Sequence, residues 1–373
     1  MIVSEEIENK EIAKQYKELL RISYQTLSNE DKKLIRSAFD TAVDAHRNQR
    51  RKSGEPYILH PISVAKIVAQ EIGLDATSIA AALLHDVVED TNYSFKDIEK
   101  LFGSGVAKIV EGLTKISKLS KENQVSLQAE NFRKLLLTLN DDVRVIIIKI
   151  ADRLHNMQTM DAMPEYKQVK IASETLYIYA PLSHRIGLYN IKTELEDLSF
   201  KYTEPENYKF IKNKIEGDKE EQGQYIKSFS KIVAFALAEE GLEYQIKGRS
   251  KSIFSINRKM TMQNIPFENV FDKFAIRIIY KGTHRNEKFL AWKIYSIITD
   301  HFTPNPTRLR DWITAPKSNG YEALHVTVMG PNNKWVEVQI RSERMNEIAE
   351  KGYAAHHKYK QGEQKDIGID SWL

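Results

Sequence analysis

The apolar residues of this chain change their spacing once, near Leu242, and that change constrains the fold more than any other feature. Up to about Tyr202 they recur at intervals of three and four, in DKKLIRSAFDTAVDAHRNQ, PISVAKIVAQEIG, TSIAAALLHDVVEDT, VAKIVEGLTKIS, AENFRKLLLTLN and DVRVIIIKIADRLHNM. That is the period of helices with one buried face. Turn signals at Ser53-Gly54-Glu55-Pro56, Gly73, Gly103 to Gly105, Asn140-Asp141 and Pro164 separate these segments. From Glu204 to Gly241 the period is still helical but the residues are more polar. Beyond Leu242, EYQIKG, FAIRIIY, ALHVTVMG and KWVEVQI alternate apolar and polar, as half-buried strands do. Pro331-Asn332-Asn333 reads as a hairpin turn between the last two, and SIFSINRKM and EKFLAWKIYSIITDHF as interspersed helices. The expectation is an all-α domain over residues 1–195 and an α+β domain over 196–373, the second opening on a helical connector that runs to about residue 241. A chain of 373 residues is long enough for two cores.

The chain has no cysteine, which excludes a disulfide framework and a thiolate zinc site, so any metal is held by histidines and carboxylates. The opening MIVSEEIENK lacks the basic and apolar regions of a secretory signal, and apolar runs such as Val145 to Ile148 are too short to span a bilayer. A cytosolic protein without membrane association is expected. The net charge of +4 fits an anionic substrate but is too small to indicate a nucleic-acid groove.

In the helical half, ionisable residues gather at three places. His85 and Asp86 are adjacent, with Glu89 and Asp90 one helical turn further on. By themselves these four are equally well explained as the solvated end of a helix. A second helix shifts the balance: an apolar run leads into Asp152, with Asn156 one turn later and Thr159 near the second turn. His60, just before Pro61, is the third source. A His, His-Asp, Asp set suits Mn²⁺ or a similar ion, which compensates the burial of so much charge. His46, His155 and His184 read instead as surface or helix-packing residues, and Tyr177, Tyr179 and Tyr189 as core.

In the second half, KGRSKSIFSINRKM places Lys247, Arg249, Lys251, Arg258 and Lys259 around a turn into a helix, whose first amides would add to the attraction for a polyphosphate. Asp272 precedes a strand and is a candidate magnesium ligand beside Arg277. Alternation in the last hairpin puts Leu324, Val326, Val328, Val336, Val338 and Ile340 on one face of the sheet. His325, Glu337 and Gln339 then share the other face, where phosphoryl transfer needs positioning and charge neutralisation. Tyr321 offers a ring for a base to stack on.

These residues carry a resemblance. His60, His85-Asp86 and Asp152 resemble the metal pattern of HD-type phosphohydrolases, and RRKSGEPYILHP, LLHDVVEDT and IKIADRLHNM resemble the hydrolase domain of the RelA/SpoT family. GRSKSIFSINRKM, FDKFAIRII, RLRDWITAPKSNGYEALH, WVEVQIRSERM and AEKGYAAH resemble that family's synthetase domain, in the family's order. The resemblance implies an HD-type hydrolase domain followed by a nucleotidyltransferase-like synthetase domain with a mixed sheet flanked by helices. It implies release of the 3′-pyrophosphate of the alarmones ppGpp and pppGpp, and their synthesis from ATP and GDP or GTP with release of AMP. On the hydrolase side it implies Mn²⁺ on His60, His85, Asp86 and Asp152, with water positioned by Glu89 and Asp90. There Arg51 and Lys52 face the nucleotide, and Ser53, Asn156 and Thr159 line the pocket. On the synthetase side it implies Mg²⁺ on Asp272, with Glu337 as a further ligand or as base. Arg249, Lys251, Ser255, Lys259 and Arg277 contact ATP, Tyr321 stacks on guanine, and Lys317, Asn319 and His325 lie near the acceptor nucleotide; Gln339, on the same sheet face as His325 and Glu337, is a further candidate for substrate binding.

Val326 stands where the family has Thr, and His357 where it has Trp. The chain stops at DSWL, where long members continue into regulatory domains, so partners such as the ribosome and tRNA are expected only through parts not present here. A different class of function, an HD-type nucleotide phosphohydrolase with a nucleotide-sensing but catalytically weak second domain, is the alternative.

Overall fold

The computed structural model describes residues 2–23, 27–121, 142–270 and 273–352. The chain divides into two compact units, Met1–Leu182 and Ser183–Leu373. AENFRKLLLTLN and the Asn140-Asp141 turn lie outside the described residues.

The first unit is helical. It runs through α1 (Ile2–Ser23), α2 (Asn29–Ala45), α3 (Leu59–Lys66), α4 (Ala76–Leu83), α5 (Val87–Asp90), α6 (Phe95–Lys121), α7 (Val143–Gln158) and α8 (Glu165–Glu174). The helical path of α3 continues into a π-helical segment, Ile67–Ile72, and that of α8 into Thr175–Tyr179 and then α9 (Ala180–Arg185). Local chemistry explains the starts. Ser28 and Asp31 form a reciprocal capping box on α2, and the carboxylates of Asp75 and Asp142 accept from the first amides of α4 and α7. Packing explains the rest. In α2, Ile35, Ala38, Phe39 and Ala42 form the buried stripe. Every residue of α4 but Thr77 is buried, and α7 buries Val143, Val145, Ile146, Ile147, Ile148 and Ile150 before reaching Asp152. Each buried Val, Leu or Ile among them contributes roughly 1.5–3 kcal/mol of burial, so α4 and α7 are the fixed supports on which the polar residues are mounted.

Two details depart from the helical reading. TSIAAALLHDVVEDT is not one helix: α4 ends at Leu83 and α5 begins at Val87, with His85 and Asp86 in the turn between them. The stretch is too apolar to remain a solvated helix end, and the turn points both residues inward. Tyr179 is buried as expected, but Tyr177 is 69% exposed. It falls in the π-helical segment, where five-residue bonding shifts the buried face.

The second unit runs through α10 (Tyr189–Thr203), α11 (Pro205–Glu239), β1 (Tyr244–Ser250), α12 (Ile253–Gln263), β2 (Phe274–Tyr280), α13 (Glu287–His301), β3 (Arg310–Asp311), β4 (Leu324–Met329), β5 (Trp335–Ser342) and α14 (Glu343–Lys351). The strands form one mixed sheet in the order β1-β2-β5-β4-β3. The pair β2/β5 is parallel and the others are antiparallel. Its apolar face (Ile276, Ile278, Leu324, Val326, Val328, Val336, Val338, Ile340) packs against Tyr225, Phe229, Val233 and Leu237 of α11 and Ala291, Ile294 and Ile298 of α13. The four α11 residues recur every four positions, one stripe down the long helix. Val326 is on this buried face, opposite Val338, where a methyl suits the environment better than a hydroxyl. The hairpin turn at Pro331–Asn333 holds Asn332 and Asn333 at φ of 57° and 53°, a conformation Asn tolerates. Among the described residues no helix is long and apolar enough to cross a membrane.

Candidate active sites

In the helical unit, α3, the α4–α5 turn and α7 bring His60, His85 and Asp152 together, three buried residues whose ligand atoms lie within 4.8 Å of one another. His60 Nε2 is 3.2 Å from Asp152 Oδ1. Asp86 joins from the side, its Oδ2 being 2.9 Å from His85 Nε2 and 3.9 Å from His60 Nε2. His85 Nδ1 lies 2.8 Å from the carbonyl of Ala82, which directs Nε2 at the cluster. That Nε2 is buried and out of line for a hydrogen bond with Asp86. Burial opposes protonation of His85, but Asp86 and Asp152 outweigh it and raise the imidazole to about 9. Burial likewise works against the Asp152 carboxylate, yet Lys149, His60 and His85 hold it well below the usual range. Two carboxylates and two imidazoles converging on one buried point form a donor set that fits a divalent cation.

A second ring of contacts holds these four in place. Tyr57 donates to Asp86 Oδ2 at 2.6 Å, Lys149 to Asp152 Oδ2 at 2.9 Å, and Asn156 to Asp152 Oδ1 at 2.6 Å. The Nδ1 atoms of His60 and His155 share a hydrogen bond of 2.8 Å. Burial, then His60 and Arg51 nearby, push His155 down to about 3, so its imidazole is neutral. Arg51 reaches Asn156 Oδ1 and Thr159 Oγ1, each at 3.1 Å, and ties the turn before α3 to the end of α7.

In the second unit the polar face of the sheet carries two rows. Lys247, Arg277, Gln339, His325 and Arg310 are successive cross-strand partners, and Arg249, Ala275, Glu337 and Thr327 form the next row on the same face. At one end a pocket of about 590 Å³ is lined by Thr193, Arg249, Ser250, Lys251, Ser252, Ser255, Phe274, Ala275, Glu337 and Gln339. Cations and hydroxyls dominate its wall, with one carboxylate, a composition suited to a polyphosphate. On its wall Gln339 donates to Glu337 Oε1 at 2.8 Å and accepts from Arg341 at 3.0 Å. Tyr321 Oη lies 2.8 Å from His325 Nε2 and accepts from Arg341. Burial, with Arg341 and Lys317 nearby, lowers His325 to about 4 against the pull of Glu337, so its ring is neutral.

Residues 38–189 match the family model for the HD domain, and residues 248–364 the model for the region found in RelA / SpoT proteins. Three relatives extend the match across the junction. The probable guanosine-3′,5′-bis(diphosphate) 3′-pyrophosphohydrolase of Synechocystis is 46% identical over 88% of this chain and 42% of its own length. The GTP pyrophosphokinase of Myxococcus xanthus is 43% identical over 92% and 45%. The bifunctional (p)ppGpp synthase/hydrolase SpoT of Escherichia coli is 42% identical over 90% and 47%. The chain belongs to the RelA/SpoT family. It spans less than half the length of these relatives.

Against the family's motifs, the structure gathers the four metal-type residues, Asn156, Thr159 and Arg51 at one place. Glu89 is half-buried and Asp90 exposed on α5, the turn that follows Asp86, while Lys52 and Ser53 are exposed at the tip of the turn before α3. Tyr57, Lys149 and His155 are neighbours of this cluster that reading the sequence missed. Lys149 was available from its three-residue spacing to Asp152, whereas the His155–His60 contact joins positions 95 apart and left no local sign. Among the other histidines, His46 is buried and bonded to Gln49, and His184 packs edge-on against Tyr189.

On the synthetase side Arg249, Lys251, Ser255, Glu337 and Gln339 line one pocket. Asp272 and His357 lie outside the described residues. Lys259 is half-buried on α12, two turns from its N-terminus. The first amides of α12 are not open to a phosphate as the sequence suggested. The carboxylate of Asp197 accepts from Ile253 N at 3.3 Å and Phe254 N at 2.8 Å, and Ser252 Oγ from Ser255 N at 3.2 Å. Nor does Tyr321 present a free ring. It is 8% exposed, with Arg341 4.9 Å and Lys317 5.1 Å from its centroid and Tyr189 edge-on at 5.5 Å. Asn319 is buried beside it, accepting from Tyr321 N.

Proposed function

We propose that the chain both hydrolyses and synthesises the guanosine alarmones, hydrolysis belonging to residues 1–195 and synthesis to 196–373, in the cytoplasm. The observation that carries this reading is the pairing, in one chain of this family, of a buried His60–His85–Asp152 cluster with a cation-lined pocket beside Glu337. The family relatives named for each activity support it.

In the hydrolase, His60, His85, Asp86 and Asp152 would hold Mn²⁺. A divalent cation there supplies Lewis acidity toward water and phosphate oxygens. The protein's own part is to hold those ligands rigid from α3, the α4–α5 turn and α7, and to take the proton of the attacking water on Glu89 or Asp90. Arg51 and Lys52 neutralise phosphate charge, with Ser53, Asn156 and Thr159 lining the pocket. The bond from the 3′-oxygen to its pyrophosphate breaks, and GDP or GTP and pyrophosphate leave.

In the synthetase, Arg249, Lys251, Ser255, Lys259 and Arg277 bind the ATP phosphates, while Asp272 and Glu337 serve Mg²⁺. Glu337 also orients or deprotonates the acceptor 3′-hydroxyl, whose oxygen bonds to the β-phosphorus as AMP leaves. Tyr321, Lys317, Asn319, His325 and Gln339 take the guanine nucleotide. A base stacking on Tyr321 has to displace the Lys317 ammonium, whose pKa burial already lowers.

The test uses two variants of the whole chain. The parent with Mn²⁺ should convert ppGpp to GDP and pyrophosphate, and Asp152→Ala should lose at least 100-fold of that rate, about 2.7 kcal/mol of barrier, while still forming AMP and ppGpp from ATP and GDP. Glu337→Gln should do the reverse. A parent that hydrolyses dGTP readily and leaves ppGpp untouched would instead support the general nucleotidase with a sensing domain.

A further inference from the structure

We propose that Glu350 is a positioning residue of the synthetase pocket, one carboxylate shared between Arg277 and Arg341 that sets the Arg277 guanidinium at the pocket edge. This rests on the synthetase reading above.

The geometry is specific. Arg277 is on β2, two residues beyond Ala275 and directly opposite Gln339, both of which line the cationic pocket. Arg277 Nη1 donates to Glu350 Oε1 at 2.8 Å and to Asn346 Oδ1 at 3.3 Å. Arg341 Nη1 lies 3.9 Å from the same Oε1, and the other Glu350 oxygen accepts from Asn190 at 2.7 Å. Arg341 in turn donates to Gln339 and to Tyr321 Oη. Glu350 thus joins Arg277, whose strand neighbours Ala275 and Gln339 line the cationic pocket, to the network that carries Tyr321 and His325.

Charge and burial show why a carboxylate stands there. Arg277 and Arg341 are 8% and 2% exposed, and the Nε of each is buried without a hydrogen-bond partner. Two guanidiniums so placed repel one another, and a shared anion is the usual remedy. Burial opposes the Glu350 carboxylate, but Asn190, Arg277, Arg341 and Arg249 keep it ionised. Glu350 grips Arg277 through Nη1, and the Nε of Arg277 is buried without a partner, so the orientation of this guanidinium rests on the Nη1 contacts to Glu350 and Asn346.

The experiment is steady-state synthesis by the whole chain, varying ATP at saturating GDP and then the reverse, for the parent, Glu350→Gln and Asn190→Ala. Glu350→Gln keeps the shape and removes the charge. It should raise the ATP KM about tenfold, the scale of one misaligned charge-assisted hydrogen bond, and leave the GDP KM within twofold. Asn190→Ala, which frees the carboxylate without neutralising it, should move the ATP KM in the same direction by about threefold, and it decides the matter if Glu350→Gln does not fold. A lower ATP KM would mean that the carboxylate competes with phosphate, and would overturn the proposal. Unchanged KM values with a lower kcat would make Glu350 merely structural, and a change confined to the GDP KM would place its effect elsewhere. If the parent itself forms no AMP, the synthetase reading fails separately. Calorimetry with a non-reactive ATP analogue then decides the role of Glu350, equal Kd values in parent and variant overturning it.

Discussion

Asp197 is ionised at a cost. Burial raises its carboxyl to about 6 even though the amides of Phe254 and Ile253 favour the charged form. A carboxyl whose folded pKa exceeds its unfolded one adds stability below the unfolded value and loses it as pH rises through the folded value. Here the loss is about 3 kcal/mol across roughly pH 4 to 6.5. Asp197→Asn removes the titration. Its stability relative to the parent, measured by urea unfolding of the second unit, should therefore rise over that window and stay level above it; a flat difference would mean the carboxyl is solvated. Asp197 also shows the limit of residue-level reading. The basic cluster ahead of α12 was visible in KGRSKSIFSINRKM, but a carboxylate more than fifty positions away that occupies the amides was not. His60, His85, Asp86 and Asp152 were legible because ionisable residues at the end of apolar runs are costly enough to need a reason. Tyr57 and His155, which only steady those side chains, look ordinary in sequence.

Elements were read well where periodicity is long and poorly where geometry is local. Alternation placed β1, β2, β4 and β5, and with them which residues share the polar face, because a strand's faces follow from parity alone. The parallel pairing of β2 with β5 and the two-residue β3 depend on partners far along the chain and left no local trace. The break between α4 and α5 escaped because three- and four-residue spacing persists across a turn. Helix contacts carry their own test. A methyl added at Gly112 of α6 would sit 2.8 Å from Val145 Cγ2 of α7, and Val145 is 2% exposed with a stiff, branched side chain. Gly112→Ala gains up to about 1 kcal/mol of helix propensity against an overpacking cost of about 1–3 kcal/mol. We expect a net loss of about 1 kcal/mol, seen as a lower Tm, with a weakened hydrolase because α7 carries Asp152. Pairing it with Val145→Ala should relieve the clash; a Gly112→Ala protein as stable as the parent would show that α6 and α7 adjust freely.

At the scale of the molecule, both units are closed by contacts of long reach. In the helical unit α3 packs on α7. The sheet unit is closed by β5, which lies between β2 and β4 although it is the last strand among the described residues. Without Trp335–Ser342, β2 loses its parallel partner and β4 its antiparallel one, and the apolar face that covers Tyr225, Phe229 and Val233 is interrupted. A chain ended at residue 330 should keep a protease-resistant first unit with measurable ppGpp hydrolysis, while its second unit is digested. Resistance of both would show that the sheet survives without its central strand. For a protein made from its N-terminus onward, the placement of β5 sets an order of arrival. On the division of activities proposed above, the hydrolase half can be folded while the nascent chain is still lengthening, and the synthetase half cannot assemble until nearly every residue described here has been joined. A ribosome that stalls partway through this message would then leave behind a fragment able only to remove the signal, never one able only to raise it.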